Sequence, residues 1–264
     1  MARKNRGASA LKNYDESLIS KNITWVDIGI GGLDKFIPGL PKGDAILVRG
    51  EPGTGKTISC LQFIHQGILE NEQCVYITTE ETPRTIIRTG KELWSDFEEL
   101  VESGRIKVVN LSINAAFESE FALITKEEVV KIVMDEIKSI GAKIDRIVVD
   151  SLSSLGRRLQ DQDEFRQVFM RLLLEFKNLG ATALLSAEGI PDTPDITEYL
   201  VDHLIYLDYV KSDVVWTRVF ILRKSRSVPL KPQILKLNIE PEGLYVEESP
   251  ISLKPVWFKS RLKE

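Results

Sequence analysis

Eight consecutive residues have the types and the spacing of a phosphate-binding loop. They read Gly50-Glu51-Pro52-Gly53-Thr54-Gly55-Lys56-Thr57 and satisfy the pattern G-x-x-x-x-G-K-[ST] in full. The glycines allow the backbone to curl so that successive N–H groups point at phosphate oxygens, and the following helix adds the positive end of its dipole. Lys56 can reach the β- and γ-phosphates of a nucleotide, and the Thr57 hydroxyl can ligate Mg²⁺. The segment therefore predicts a site for a magnesium-bound nucleotide.

Three acidic residues stand at the ends of apolar segments, where they can complete such a site. Asp150 closes the segment 146–150, and its position predicts a carboxylate that holds the metal ion through water. Glu80 and Glu81 stand at the end of the strand predicted over 74–80. The ends of parallel strands meet at one edge of a sheet, and ligands bind there. We therefore expect one of the two glutamates to be the base or water-orienting group of a hydrolysis reaction.

The elements that must position these residues alternate between short apolar strands and helices. Continuous Val, Ile and Leu character predicts strands buried on both faces, at 44–50, 74–80, 144–151 and 182–188. Apolar spacing predicts helices over 57–70 and 163–179. Thr82 before Pro83, and Asp96 with Glu99, have the spacing of helix N-caps, and Gly180 that of a helix end. This alternation predicts βαβ units and a parallel sheet covered by helices.

The pattern changes after about residue 203. Four short β-like segments follow one another with no helix between them, at 203–210, 217–224, 232–240 and 243–248. We expect antiparallel strands that extend the sheet. The chain contains no linker rich in Gly, Ser or Pro and no internal repeat. We therefore predict one α/β domain over residues 22–248, with basic tails at 1–21 and 249–264.

The composition excludes several classes of protein. The 264 residues include 35 Lys+Arg and 39 Asp+Glu, for a formal net charge of −4, and 43% are hydrophobic. This mixture is not that of a disordered, collagenous or coiled-coil chain. No segment approaches the roughly 18 apolar residues of a membrane span, and the basic N-terminus lacks the apolar region of a secretory signal. Cys60 and Cys74 form no CxxC pair, so we expect buried core cysteines in a cytoplasmic protein.

Several segments together carry a family resemblance. They read GGLDKFIPGLPKGDAILVRGEPGTGKT, VYITTEETP, IVVDSLSSL, LLLEFKNLGATALLSAE and ILRKSRS, and they span residues 24 to about 247. On these residues the chain resembles a single-domain member of the KaiC branch of the RecA-like ATPases. The phosphate-binding loop alone is typical of a whole superfamily, whereas the E-E-T-P segment and the late K-x-R narrow the resemblance to this branch.

The resemblance implies a RecA-like P-loop fold, ATP as the ligand, and a homo-oligomer, a hexameric ring or a filament-like arrangement, whose active sites are shared between neighbours. It implies that Glu80 and Glu81 activate the attacking water. It also implies that Lys224 and Arg226 reach the γ-phosphate bound to the neighbouring subunit. The family usually continues K-x-R with a glycine, where this chain has Ser227. Its clock protein is a tandem duplication whose second half phosphorylates itself, and this chain has one copy, so the resemblance implies neither clock function nor self-phosphorylation.

Three functions are compatible with these sequence features. The first is an ATP-hydrolysing oligomer that regulates or remodels a protein partner. The second is a recombinase-paralogue-type accessory protein in DNA repair, and the third is a nucleotide-switched kinase or signalling protein. Recombinases carry a DNA-facing loop where this chain has the segment 188–202, with five acids and no Lys or Arg, so we expect weak or no nucleic-acid binding. The presence of Glu80 and Glu81 favours hydrolysis over a switch that does not hydrolyse.

Overall fold

The computed structural model describes residues 23–111, 126–157, 159, 162–189, 195–212, 215–226 and 233–248. Both basic tails, 1–21 and 249–264, lie outside the described residues. The described chain forms a nine-stranded sheet with helices on both faces and a separate two-stranded sheet. None of the helices in this part of the chain combines the length and the apolar character that a membrane span requires.

The described strands have the bounds β1 Trp25–Val26, β2 Leu40–Pro41, β3 Ala45–Gly50, β4 Cys74–Thr78, β5 Ile106–Asn110, β6 Arg146–Asp150, β7 Thr182–Glu188, β8 His203–Ser212, β9 Val215–Ser225, β10 Gln233–Glu240 and β11 Gly243–Glu248. Eight of them, β3, β4 and β6 to β11, lie at the predicted segments, whereas β1, β2 and β5 were not predicted. The large sheet has the order β11-β10-β9-β8-β3-β7-β6-β4-β5. All pairs from β8 to β5 are parallel, and those from β8 to β11 are antiparallel. The prediction of a mainly parallel sheet extended by C-terminal antiparallel strands is confirmed.

The helices cover the two faces of this sheet. They are α1 Lys56–Leu69, α2 Pro83–Leu93, α3 Phe97–Glu102, α4 Lys126–Lys138, α5 Leu152–Arg157, α6 Gln162–Asn178 and α7 Ile196–Leu200. Because successive side chains of a strand point to opposite faces, Ile46 and Val48 pack in one core and Leu47 in the other. Phe63 of α1 belongs to the first core, and Phe169 of α6 belongs to the second. Two cores therefore hold the strand that precedes the phosphate-binding loop.

Local signals at the helix ends were correct in two cases out of three. The Thr82 hydroxyl accepts from the Thr85 N–H at 3.2 Å, with Pro83 at the first helical position, and Gly180 follows α6 with φ of 69°. The capping box expected at Asp96 is wrong, because its side chain makes no cap hydrogen bond. Asp96 has helical backbone angles and lacks the extended ones that aim a capping oxygen at the helix N–H groups.

The parallel strands end together, as the site requires. Gly50 at the end of β3 lies opposite Glu188 at the end of β7, and Thr78 at the end of β4 lies opposite Asp150 at the end of β6. The sheet therefore brings the phosphate-binding loop and the predicted acids to one edge, where open α/β sheets bind ligands. Cys60 and Cys74 are free and buried in the core, as expected.

The first residue of β6 is a fully buried arginine. Arg146 is 0% exposed, and its guanidinium donates to the carboxylates of Glu72 at 2.6 Å and Glu70 at 2.9 Å. It also donates to the carbonyl oxygens of Asp27 at 2.7 Å and Phe63 at 3.0 Å. Buried charges are tolerated when they are paired and hydrogen-bonded in this way. The residue that interrupts the apolar sequence of β6 thus joins the strand to the end of α1 and to the N-terminal segment.

Arg146→Ala is expected to lower the free energy of unfolding by about 3 kcal/mol, because it removes a buried guanidinium that pairs with two largely buried carboxylates. Lys42 still pairs with one of these carboxylates, and Gln66 still donates to the other. Arg171→Ala is the matched control, since Arg171 is exposed on α6 and its pair with Glu175 is of the i,i+4 kind, which contributes about 0.3–0.5 kcal/mol. Urea denaturation of both variants measures the difference. Equal midpoints would show that the buried network does not stabilise the fold.

Candidate active site

The phosphate-binding loop is built on glycines. Gly53 and Gly55 have φ of 80° and 111°, a left-handed conformation that is strained for residues with a side chain. A Cβ atom added to Gly50 would lie 2.2 Å from the carbonyl oxygen of Leu207 on the adjacent strand. The curled loop leads directly into α1, so its N–H groups and the helix N-terminus favour an anion. A cavity of about 320 Å³ lies here, lined by the loop together with Glu80, Asp150 and Glu188.

Lys56 lies over this loop. Its ammonium donates to the carbonyl oxygens of Gly50 at 2.9 Å and Glu51 at 3.0 Å. Burial lowers the pKa of Lys56, although the nearby carboxylates of Glu188 and Asp150 oppose that shift. An ammonium whose acceptors are backbone carbonyls can exchange them for the stronger charged acceptors of a phosphate.

Two residues outside the loop also donate hydrogen bonds to its backbone. The Tyr209 hydroxyl donates to the carbonyl oxygen of Gly53 at 3.0 Å, and Arg218 Nε donates to the same oxygen at 3.4 Å. The Arg218 guanidinium lies 5.1 Å from the centre of the Tyr209 ring. Both residues come from the β8–β9 hairpin, more than 150 residues along the chain, and no motif marked them. The hairpin thus stabilises the turn of the loop through these two hydrogen bonds.

Asp150 and Thr57 meet beside the loop. The Thr57 hydroxyl donates to Asp150 Oδ2 at 3.0 Å. Tyr76 donates to the same oxygen at 2.7 Å, and Ser186 donates to Oδ1. A hydroxyl and a carboxylate are the hard oxygen donors that Mg²⁺ prefers, with water and phosphate completing its shell. These two side chains therefore fit a magnesium ion, and Tyr76 and Ser186 fix the orientation of the carboxylate.

The two adjacent glutamates differ in position. Glu80 lines the cavity, and its carboxylate accepts from the hydroxyls of Ser151 at 2.9 Å and Ser154 at 2.5 Å. Glu81 is half-buried and does not line the cavity. Burial raises the pKa of Glu81, and the charges of Asp150 and Glu80 add to the shift. The geometry thus separates two residues that the sequence left equivalent.

Lys224 and Arg226 lie away from the loop of their own chain. Lys224 pairs across the sheet with Leu204, near the start of β8, and β8 runs parallel to β3. The end of β9 therefore lies toward the amino ends of the parallel strands, whereas the loop lies at their carboxyl ends. Burial lowers the pKa of Lys224, and the charge of Arg226 lowers it further.

Three of the described acids in the segment 188–202 are buried or half-buried. Glu198 is buried and paired with Arg49, and Asp195 caps α7 by accepting from the Thr197 N–H at 2.8 Å. Asp202 accepts from the Ala45 N–H at 3.0 Å. Counting all these acids as a surface that repels DNA therefore overstates its negative charge, because Glu198 is buried against the Arg49 cation. Asp192 lies outside the described residues.

The structure brings the loop, Thr57, Asp150 and Glu80 to one cavity and leaves Lys224 and Arg226 elsewhere. Sequence patterns did not predict the residues that orient the site, namely Tyr76, Ser186, Ser151, Ser154, Tyr209 and Arg218. Ser151 and Ser154 stand one and four residues after Asp150 in the chain, and this proximity was an available signal. The other four are placed by strand pairing, which local sequence does not reveal.

The family model described as "ATPase: KaiC" matches residues 26–251. Among curated proteins, the circadian clock oscillator protein KaiC of Synechococcus elongatus is 30% identical over 227 residues, which are 86% of this chain and 41% of that protein. The chain thus spans less than half the length of this relative. A UPF0273 protein of Methanopyrus kandleri is 28% identical over 243 residues, covering 84% of this chain and 94% of that protein.

Solved structures give the same result. A KaiC-like protein from the hyperthermophilic archaeon Pyrococcus horikoshii superposes with a TM-score of 0.73 and 28% sequence identity. The match covers 85% of this chain and 99% of that one. The RecA-like fold expected from the resemblance is confirmed by this match. The matched archaeal chain is similar in extent to this one.

Proposed function

The chain belongs to the KaiC family of ATPases, and we propose that it hydrolyses the β–γ phosphoanhydride bond of Mg·ATP as a homo-oligomer. The observation that carries this proposal is the meeting, at one sheet edge, of the loop, the Thr57–Asp150 pair and Glu80. These parts match the requirements of phosphoryl transfer to water, which needs positioning and charge stabilisation more than covalent chemistry. Residues 22–248 would act as the ATPase domain.

Each residue has a role in this scheme. Lys56 exchanges its carbonyl acceptors for the β- and γ-phosphate oxygens, and the loop N–H groups bind the remaining phosphate oxygens. Thr57 and Asp150 hold Mg²⁺, which when bound neutralises charge on the same phosphates. Glu80 accepts a proton from the attacking water or orients that water. Ser151 and Ser154 donate to the Glu80 carboxylate and so hold it toward the cavity.

The position of two cations supports the oligomer. Lys224 and Arg226 lie at the other end of the sheet from their own loop, and the family resemblance assigns them to the γ-phosphate of a neighbouring subunit. In a ring, which the family resemblance implies to be a hexamer, each loop has such a neighbour. The free energy of hydrolysis would then drive changes between subunits that regulate a protein partner in the cytoplasm, where ATP is available. Nothing in the described structure favours the DNA-repair or kinase alternatives over this function.

The proposal predicts slow release of ADP and inorganic phosphate in equal amounts from Mg·ATP. Lys56→Ala should abolish ATP binding and hydrolysis, because it removes the cation that pairs with the phosphates. Lys107→Ala, an exposed lysine on β5, is the matched control and should behave as wild type. Calorimetry measures binding, and a phosphate-release assay measures turnover. Transfer of phosphate to protein without free phosphate would instead indicate a kinase.

A further inference from the structure

A buried ion pair joins the phosphate-binding strand to α7. Arg49, the residue before the loop, is 4% exposed and donates to the carboxylate of Glu198. It also donates to the carbonyl oxygen of Glu188 at 3.0 Å and 3.3 Å through two of its nitrogens. These contacts link the last residue before the loop to the end of β7 and to a helix 149 residues away.

Glu198 of α7 is the acidic member of this ion pair. It is 8% exposed, and it accepts from the Tyr206 hydroxyl as well as from Arg49. Tyr206 and Arg49 are paired neighbours on β8 and β3, so the carboxylate meets both donors on one face of the sheet. A buried carboxylate with two donors has one low-energy position, because any move leaves a buried charge unpaired. The contacts therefore fix where α7 lies.

The backbone of α7 and the residues after it hold the two basic residues at the end of β9. Lys224 donates to the carbonyl oxygens of Glu198 at 2.7 Å and Val201 at 2.6 Å. Arg226 donates to the carbonyl oxygen of Tyr199 through its side chain. Carbonyls at the C-terminal end of a helix carry partial negative charge and attract cations. An ammonium has three N–H donors, and Lys224 uses two of them on carbonyl oxygens of the described residues.

We propose that Glu198 is a positioning residue, which ties α7 to the phosphate-binding strand and thereby sets the place of Lys224 and Arg226 for the neighbouring subunit. The inference rests on the proposed function, in which these cations act across an interface. Its physical basis is a continuous series of contacts within one subunit, from Arg49 through the Glu198 carboxylate to the helix carbonyls. Glu198 itself touches no substrate in this scheme.

The test uses mixed oligomers in which the subunit that supplies the cations differs from the one that supplies the loop. Lys56→Ala has no working loop but keeps its cations, and Arg226→Ala has the reverse defect. Their mixture should recover activity at some interfaces. Glu198→Gln is then added to the Lys56→Ala subunit in one mixture and to the Arg226→Ala subunit in another. Light scattering confirms that each mixture assembles.

We expect recovery to fall by about 10²-fold when Glu198→Gln is in the subunit that supplies the cations, because misplacement of a catalytic group by about 1 Å has such an effect. Recovery should fall much less when the substitution is in the subunit that supplies the loop. A general structural defect would lower both mixtures equally. Equal losses, or no loss in either, would overturn the inference. Glu102→Gln, an exposed glutamate on α3, is the control in both arrangements.

Tyr206→Phe provides a second, milder variant if Glu198→Gln does not fold. It removes only one hydroxyl donor to the carboxylate, and the same asymmetry between mixtures should appear with a smaller loss. Failure of the proposed function gives a different result. If the two single variants do not restore activity while Glu198 is intact, the shared site is wrong, and the role assigned to Glu198 falls with it.

Discussion

Glu80→Gln is expected to lower kcat for ATP hydrolysis by about 10²–10⁴-fold while Mg·ATP binding is retained. Glutamine keeps the size of the side chain and can still accept from Ser151 and Ser154, but it cannot take a proton from water. Glu80 lines the cavity against the loop, and the metal-binding pair lies beside it. Single-turnover phosphate release measures the chemical step, and a binding titration with a non-hydrolysable ATP analogue separates it from affinity.

Glu81→Gln is the matched control for this prediction, since it makes the same change one residue away. Its effect should be smaller, because Glu81 is half-buried outside the lining of the cavity. An equal loss in both variants would mean that the two glutamates act together. Wild-type turnover by the double variant would show that neither is the base.

Arg226→Ala is expected to lower hydrolysis by about 10³–10⁵-fold, the effect of removing a cation that a neighbour inserts at the γ-phosphate. The developing charge on the transferred phosphoryl group is stabilised by such a cation, whereas ground-state binding depends mainly on the loop. ATP affinity should therefore change far less than kcat. Arg166→Ala, an exposed arginine on α6, controls for the loss of a positive charge.

Dilution provides a second measurement of the same effect. Because Lys224 and Arg226 would act only across an interface, activity per subunit should fall as the oligomer dissociates. A monomer isolated by size-exclusion chromatography that hydrolyses ATP as fast as the assembly would contradict the shared site.

The sequence alone determined the features that depend on near neighbours in the chain. The phosphate-binding loop is contiguous, and its glycines and lysine specify its conformation and chemistry together. Strands appear as continuous apolar segments because both of their faces are buried, and β7 was predicted at its observed bounds of Thr182–Glu188. The cap at Thr82 likewise involves a donor three residues away. Because a parallel sheet was predicted from the sequence, the position of Asp150 at the end of β6 already predicted that it would lie beside the loop.

Only the tertiary structure decided how these parts are oriented. It distinguished Glu80 from Glu81 through serines more than 70 residues away, and it placed Tyr209 against the loop across 156 residues. It also paired Arg49 with Glu198, an acid that the sequence placed on a repelling surface. Contacts of this range depend on the order and register of strands, which set which distant side chains meet. Local propensity acts over a few residues, whereas register depends on which strand faces are buried and on the turns that join the strands.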